Sequence, residues 1–460
     1  MEESAERVQF KKMTETPVSK LIVSLAVPTV ITMLVSSFYN MADTFFVSQI
    51  GTSASAAVGV VFSLMAIFQA VGFTLGMGSA SIISRLLGVH DLKQASKTAT
   101  TAFFTAFLFG LLILVGGLSF LDDLMRLLGA TPSVLPYARN YARFILMGTP
   151  FICSSFVMNN VLRSEGKSAK AMIALTSGGF INIILDPVFI FVLKLETAGA
   201  AIATIISQTI SFFLLLQFFL RKKTLCTISP KFLEPDFRLL ALVILTGLPS
   251  LFRQGLASIS TIMLNRSASV YGDAALAGMS IVMRLIQVVA SVMIGIGQGF
   301  TPVSGYNYGA KKYDRVKKAY FFTVKSGFLC LAASATCLFA FAPNIIELFR
   351  DDAEVIKIGA MALRFQAAGL PFHSFIIATN MLMQSTGRIK SASLLSCMRQ
   401  GIYFIPLVIV LPLLFGLFGV EISQAISDFL SFLTAIPFIV VFFRNLGKNN
   451  AEKAAAQNEN

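Results

Sequence analysis

Apolar stretches of about twenty residues follow one another along almost the whole chain, and each is long enough to cross a bilayer as a helix. Twelve can be delimited, at roughly 18–44, 54–83, 95–119, 137–161, 169–193, 198–220, 238–266, 275–300, 317–341, 355–383, 391–414 and 418–443. Hydrocarbon offers a backbone no water to bond, so only helices and closed barrels are stable there. Barrel strands alternate apolar and polar residues over about ten positions; these runs are longer and uniformly apolar. Charged residues make up 13 % of the chain, about half the share in a soluble domain. The expectation is an all-α, polytopic membrane protein of twelve transmembrane helices.

A shift of 221 residues lays the second half on the first. Pro28 falls on Pro249, Gly51 on Gly272, Gly76 and Gly78 on Gly297 and Gly299, and Gly88 on Gly309. The match continues without a gap through Gly148, Pro150, Asn159 and Gly166, onto Gly369, Pro371, Asn380 and Gly387. These are mostly residues that fix backbone shape, so one structural half occurs twice. Each copy holds six spans, an even number. Both halves therefore enter the membrane from the same side, and the two six-helix bundles form a parallel internal repeat. The expected divisions are an N-terminal lobe at 1–222, a polar cytoplasmic linker at 223–236, a C-terminal lobe at 237–446, and a disordered tail at 447–460. Two such lobes in a hydrophobic chain are the pattern of a transporter with its site between them.

Of the 37 Lys and Arg residues, 27 fall in alternate loops, among them Lys11 and Lys12, Lys93 and Lys97, Lys222 and Lys223, Lys311 and Lys312, and Arg388, Lys390 and Arg399. By the positive-inside rule that side is cytoplasmic, which puts both termini inside and the chain in the cell membrane. The net charge of +14 then reflects topogenic residues facing an anionic leaflet. It is dispersed over short segments with no continuous basic face, which argues against nucleic acid as a partner. The polar N-terminus has no cleavable signal, so the first span is expected to act as its own insertion signal. The five cysteines have no metal-ligand spacing and read as small apolar core residues. There is no Walker A sequence and no HExxH, and the only histidines are His90 and His373. The expectation is a protein that is not an enzyme, has no cofactor, and draws any uphill work from an ion gradient.

A charge inside a membrane is costly, so ionisable residues within the spans are functional candidates. Asp186 stands out in INIILDPVFI. Asn182, four residues before it, shares its helix face, and Pro187 frees a carbonyl nearby. Carboxylate, amide and carbonyl together suit a proton or a sodium ion; the alternative is an Asp bonded to a neighbouring helix. Asp43 ends the first span, where it is either a titratable group or an interface residue. Pro28, fifteen residues earlier, should kink that helix. Asp43 and Asp186 together could share one coupling ion. In the second half, Asp428 is expected to pair with Arg284 or Arg253, with structural ion pairing and binding of a substrate cation both open. His373 reads as a buried, hydrogen-bonded neutral side chain.

The segments SLAVPTVITMLVSSFYNMADTFFVSQIG, GMGSASIISRLLG, NNVLRSEGK, INIILDPVFIF followed by TAGAAIAT, and GIGQGFTPVSGYNYGA carry a resemblance. Over about residues 15–445 the chain resembles the multidrug and toxic compound extrusion (MATE) family, in its MepA-like branch. The resemblance implies two six-helix bundles, alternating access, and export of amphipathic, often cationic drugs in exchange for protons or sodium. It also implies an N-lobe cation cluster of Asp43, Asn182, Asp186, Thr204 and Asn159, with no metal beyond sodium at Asp43 and Asp186, and a hinge at Pro28. Some relatives carry a C-lobe acid on the tenth helix, where this chain offers His373. A monomer is expected. The rival reading is a flippase for lipid-linked precursors of the same architecture, which would need a cationic central cavity.

Overall fold

The computed structural model describes residues 2–233 and 236–458. The helices are α1 (Glu2–Glu15), α2 (Val18–Ser48), α3 (Thr52–Gly88), α4 (Leu92–Ser119), α5 (Leu121–Leu127), α6 (Leu135–Ser164), α7 (Ser168–Pro187), α8 (Glu196–Leu220), α9 (Phe237–Ser269), α10 (Asp273–Gly309), α11 (Tyr313–Ala340), α12 (Ala342–Phe349), α13 (Ala353–Ser385), α14 (Ile389–Cys397), α15 (Ile405–Phe415) and α16 (Leu417–Asn458). π-Helical turns follow α7 at Val188–Val192 and join α14 to α15 at Met398–Phe404. No strand occurs among the described residues.

The repeat governs where helices begin and end. The 221-residue shift carries Thr52–Gly88 onto Asp273–Gly309 and Leu92–Ser119 onto Tyr313–Ala340, so α3 and α4 coincide with α10 and α11 at both ends. Even the helix caps repeat. His90 and Lys311 are both left-handed, with φ of 64° and 55°. The N–H groups of Asp91 and Lys312 return to the carbonyls of Leu86 and Asn307 at 3.0 and 2.9 Å, which closes each helix with a left-handed cap.

Eleven stretches among the described residues are long and apolar enough to cross a membrane. The twelfth expected span is α13, which is 33 residues long but less apolar than the rest. Its repeat mate α6 explains why. In α6, 83 % of the span is buried by protein, against 28–50 % for the other spans of the first half. A helix surrounded by helices need not dissolve in lipid, and α6 and α13 both bury polar side chains along their length, among them Ser154, Asn159 and Asn160 in α6 and Gln366, Thr379, Asn380 and Gln384 in α13. The outward faces of other helices show large apolar side chains, among them Phe38, Leu112, Phe328 and Leu413, as lipid contact requires. Cys330 and Cys337 belong to these exposed faces rather than to the core, whereas Cys153 and Cys226 are buried.

The chain packs as two compact units, one of Met1–Lys11 with Ile31–Gly247, the other of Lys12–Val30 with Leu248–Asn460. The first half of α2 thus packs with the second unit, and the first third of α9 with the first. Two glycines make this possible. A Cβ on Gly78 of α3 would strike the Val243 carbonyl of α9, and one on Gly299 of α10 would lie 2.6 Å from the Ala26 backbone of α2. Gly78 and Gly299 are the same position in the repeat, so each unit receives a leading helix segment in the same groove.

The connecting segment is held down along the first unit. Glu165, fully buried after α6, accepts the N–H groups of Leu225 and Cys226 at 2.9 and 2.8 Å and the Lys167 ammonium at 2.6 Å. Burial and that carboxylate push the Cys226 thiol well above its ordinary range. The polar N-terminus is helical, with Gln9 Nε2 donating to the Glu165 carbonyl at 2.6 Å and Phe10 stacked on His90. At the other end α16 runs on to Asn458, through most of the stretch read from sequence as a disordered tail; Glu459 and Asn460 lie outside the described residues.

Candidate functional site

Four helices of the first unit bring polar groups to one point. The second half of α2 carries Tyr39 and Asp43, α6 carries Tyr141 near its start, α7 carries Asn182 and Asp186, and α8 carries Thr204. Asp43, Tyr141, Asn182 and Thr204 line a small cavity of about 10 Å³. Asp43 is 4 % exposed and Asp186 not at all. Tyr141 Oη–H donates to Asp43 Oδ2 at 3.2 Å. Asn182 Nδ2 donates to Asp186 Oδ1 at 3.0 Å and lies 3.4 Å from Thr204 Oγ1. Their other oxygens, Asp43 Oδ1, Asp186 Oδ2 and Asn182 Oδ1, are buried without a partner. Among the described residues no basic side chain pairs with either carboxylate. The site is a pocket of acceptors short of donors, a setting that suits a positively charged guest.

Asn159 lies elsewhere. It stands eighteen residues after Tyr141 in α6, about 27 Å along an α-helix, far beyond contact with the cluster. Its burial comes from the crowded packing at the far end of α6, not from this pocket. Pro28 sits in α2 as expected, two residues before the helix passes from one unit to the other.

The second unit holds a different polar cluster. Asp428 of α16 pairs with Arg399, Nε to Oδ1 at 2.7 Å, and with His373 Nε2 at 2.8 Å. Gln424, one turn earlier, donates to Oδ1 at 2.9 Å. This corrects the expected partners. Among the described residues Arg253 reaches Asn380 Oδ1, at 3.5 Å, and not Asp428, and Arg284 is exposed. Arg399 had been grouped with the loop charges, but it sits in the π-helical turn that packs against α16. Its place inside the eleventh apolar run was the available signal. Tyr141 gave none, since a lone tyrosine in an apolar span is commonplace.

The profile of the MatE family matches residues 28–188 and 249–410, one match on each copy of the repeat. The chain belongs to the MatE family. Among curated proteins, this MatE chain is 28 % identical over 432 residues to Multidrug export protein MepA of Staphylococcus haemolyticus (strain JCSC1435), covering 94 % of this chain and 95 % of that one. It is 25 % identical over 445 residues to MepA of Staphylococcus aureus (strain NCTC 8325 / PS 47), covering 96 % and 98 %. Among solved structures, an outward-facing multidrug resistance MATE family transporter of the MOP superfamily superposes with a TM-score of 0.90 at 28 % identity, covering 95 % of this chain and 98 % of that one.

Proposed function

We propose that this MatE chain is a multidrug efflux antiporter that exports amphipathic or cationic small molecules in exchange for protons or sodium. The observation that carries the reading is the pair Asp43 and Asp186, two buried carboxylates with no basic partner among the described residues and one unpartnered oxygen each. Two like charges in a dry site raise each other's energy, and one incoming positive charge relieves both. Carboxylate, amide and hydroxyl oxygens are hard donors that serve a proton or sodium equally well. Tyr141 donates to Asp43 and Asn182 to Asp186, so each carboxylate keeps one oxygen for the ion.

The same reading links ion binding to movement. Asp43 and Pro28 share α2, and Pro28 removes one backbone bond from the helix. Loading the ion would alter how the second half of α2 is held while Pro28 lets it bend. Each unit charge entering gains about 2.3 kcal/mol per 100 mV of membrane potential, and the drug leaves on the other half of the cycle. The proposal includes lobes at 1–222 and 237–446 alternating in access, both termini in the cytoplasm, and a monomer as the working unit. The names of the MepA relatives and the outward-facing likeness support it.

Ethidium efflux from energised vesicles tests it, with proton and sodium gradients imposed separately. The wild type should export dye on one gradient, and Asp186→Asn should abolish that export while reaching the membrane in normal amount. Pumping by Asp186→Asn at the wild-type rate, or no gradient-driven efflux by the wild type, would refute it.

A further inference from the structure

A second chamber lies wholly within the second unit, and its charge is opposite in sign to the acidic cluster. The cavity holds about 120 Å³ of open space, room for a compact organic group. Much of its wall is apolar, with Met283, Ile286 and Ile294 from α10 and Ile376 from α13. Two guanidiniums, Arg253 of α9 and Arg399, face it together.

The carboxylate beside Arg399 is Asp428, which does not line the cavity. It is 1 % exposed, and its oxygens are already taken by Arg399, Gln424 and His373. No acceptor is left there for an incoming cation. The donors are the groups with capacity to spare. Arg253 has no carboxylate within 4 Å among the described residues, and its one hydrogen bond, to Asn380, is long at 3.5 Å. Arg399 Nη2 lies 2.8 Å from His373 Nε2, the nitrogen that also lies 2.8 Å from Asp428 Oδ2. One imidazole nitrogen cannot accept from a guanidinium and donate to a carboxylate at once. When its proton serves Asp428, Arg399 Nη2 is free to donate into the cavity.

Gln366 adds an independent observation. It is 2 % exposed and lines the cavity with both its amide nitrogen and its amide oxygen unpartnered. Gln400 lines the same wall with a buried, unpartnered Oε1. A buried amide with neither atom partnered is rare in folded proteins, and Gln366 on this cavity points to a hydrogen-bonding ligand.

The repeat sharpens the contrast. Arg253 and Gln366 correspond to Thr32 and Ile145 of the first copy, and Asp43 corresponds to Leu264 of the second. Neither cluster is a remnant of the duplication. Each charge set was placed in one copy alone.

We propose that this chamber binds a soluble amphipathic organic anion, a compact aromatic carboxylate. Its headgroup lies between Arg253 and Arg399 with Gln366 donating to it, and its apolar body rests on α10 and α13. A carboxylate presents two oxygens in one plane, the shape that guanidinium forks match. The proposal shares no residue with the cation-exchange reading and does not rest on it.

The test is calorimetric titration of the purified protein in neutral maltoside micelles. Two probes of equal size and opposite charge, 1-naphthoate and 1-naphthylmethylammonium, are compared. Naphthoate should bind saturably, and Arg253→Gln should weaken it at least tenfold while leaving the ammonium probe unchanged. Arg253 has no carboxylate partner among the described residues, so its removal strands no charge. Gln366→Leu removes only unpartnered atoms and should weaken naphthoate several-fold in a protein that folds normally, which keeps the test decisive if Arg253→Gln does not fold. Absence of saturable naphthoate binding, equal binding by both variants, or a selective loss of the ammonium probe would overturn the proposal. Displacement of naphthoate by a few mole per cent of phosphatidylglycerol would also overturn it, by assigning the site to a lipid headgroup.

Discussion

Replacing Arg399 by methionine should destabilise the protein far more than loss of a surface charge. Asp428 is 1 % exposed and holds Arg399 at 2.7 Å. Two unit charges about 4 Å apart attract by about 4 kcal/mol at an effective dielectric of about 20. Breaking a buried pair by removing one partner costs about 3–5 kcal/mol, because the other charge is stranded. The consequences are asymmetric. Arg399 retains 23 % exposure and can turn to solvent in the cavity when Asp428→Asn removes its partner, so that change should cost about 1–2 kcal/mol. Gln424 and a neutral His373 carry no charge to offset Asp428 when Arg399 is lost, and protonation of His373 is the remaining way to pair it. The double variant Arg399→Met with Asp428→Asn should recover at least about 2 kcal/mol of the single-variant loss, a coupling expected of groups in direct contact. Denaturation of the purified protein in detergent measures all three. A loss below about 1 kcal/mol for Arg399→Met, as in an exposed pair, or simple additivity in the cycle, would show that the pair is not the buried one described.

Other features give further expectations. A membrane-permeant maleimide at neutral pH should leave Cys226 unreacted in the folded protein and label it only after denaturation, since its burial and Glu165 keep it a thiol; the thiolate is the reactive form, and mass spectrometry of the adducts checks this. Glu165→Leu removes the acceptor that holds Leu225 and Cys226, so trypsin should cut at the exposed Lys222 and Lys223 many times faster than in the wild type. Gly78→Ala forces a methyl into the Val243 carbonyl and should cost about 1–3 kcal/mol or more. Lys311→Gly relieves a left-handed residue and should raise stability by up to about 1 kcal/mol, visible as a higher unfolding midpoint.

Much of the fold was legible because lipid permits so few backbones. The apolar runs and the Gly and Pro matches foretold helices and their duplication, and the 221-residue offset reappears at the ends of α3, α4, α10 and α11. The apolar signal weakens where a helix does not meet lipid, which is why α13 is long but comparatively polar. Within the site, Asn182 and Asp186 could be paired from their spacing alone, and they bond at 3.0 Å. Tyr141 could not be found, since nothing local distinguishes a tyrosine 98 residues away from the aspartate it serves. Arg399 was misplaced because a charge near a span end looks topogenic until its partner is known. Asn159 shows the reverse error: a residue type carried over by resemblance stands far along α6 from the group it was assigned to.

The matched glycine grooves on α3 and α10 bear on how such a chain comes to exist. Each unit is completed by a leading helix segment encoded in the other copy of the repeat, 237–247 in one case and 12–30 in the other. In topology this is a domain-swapped dimer joined into one polypeptide. A cut between the copies would leave each half with an unfilled groove and a helix segment with nowhere to pack, so the duplicated unit is a unit of sequence but not of folding. The two crossing points fall within two residues of Pro28 and Pro249, so one repeated pair of prolines marks where the chain changes partners.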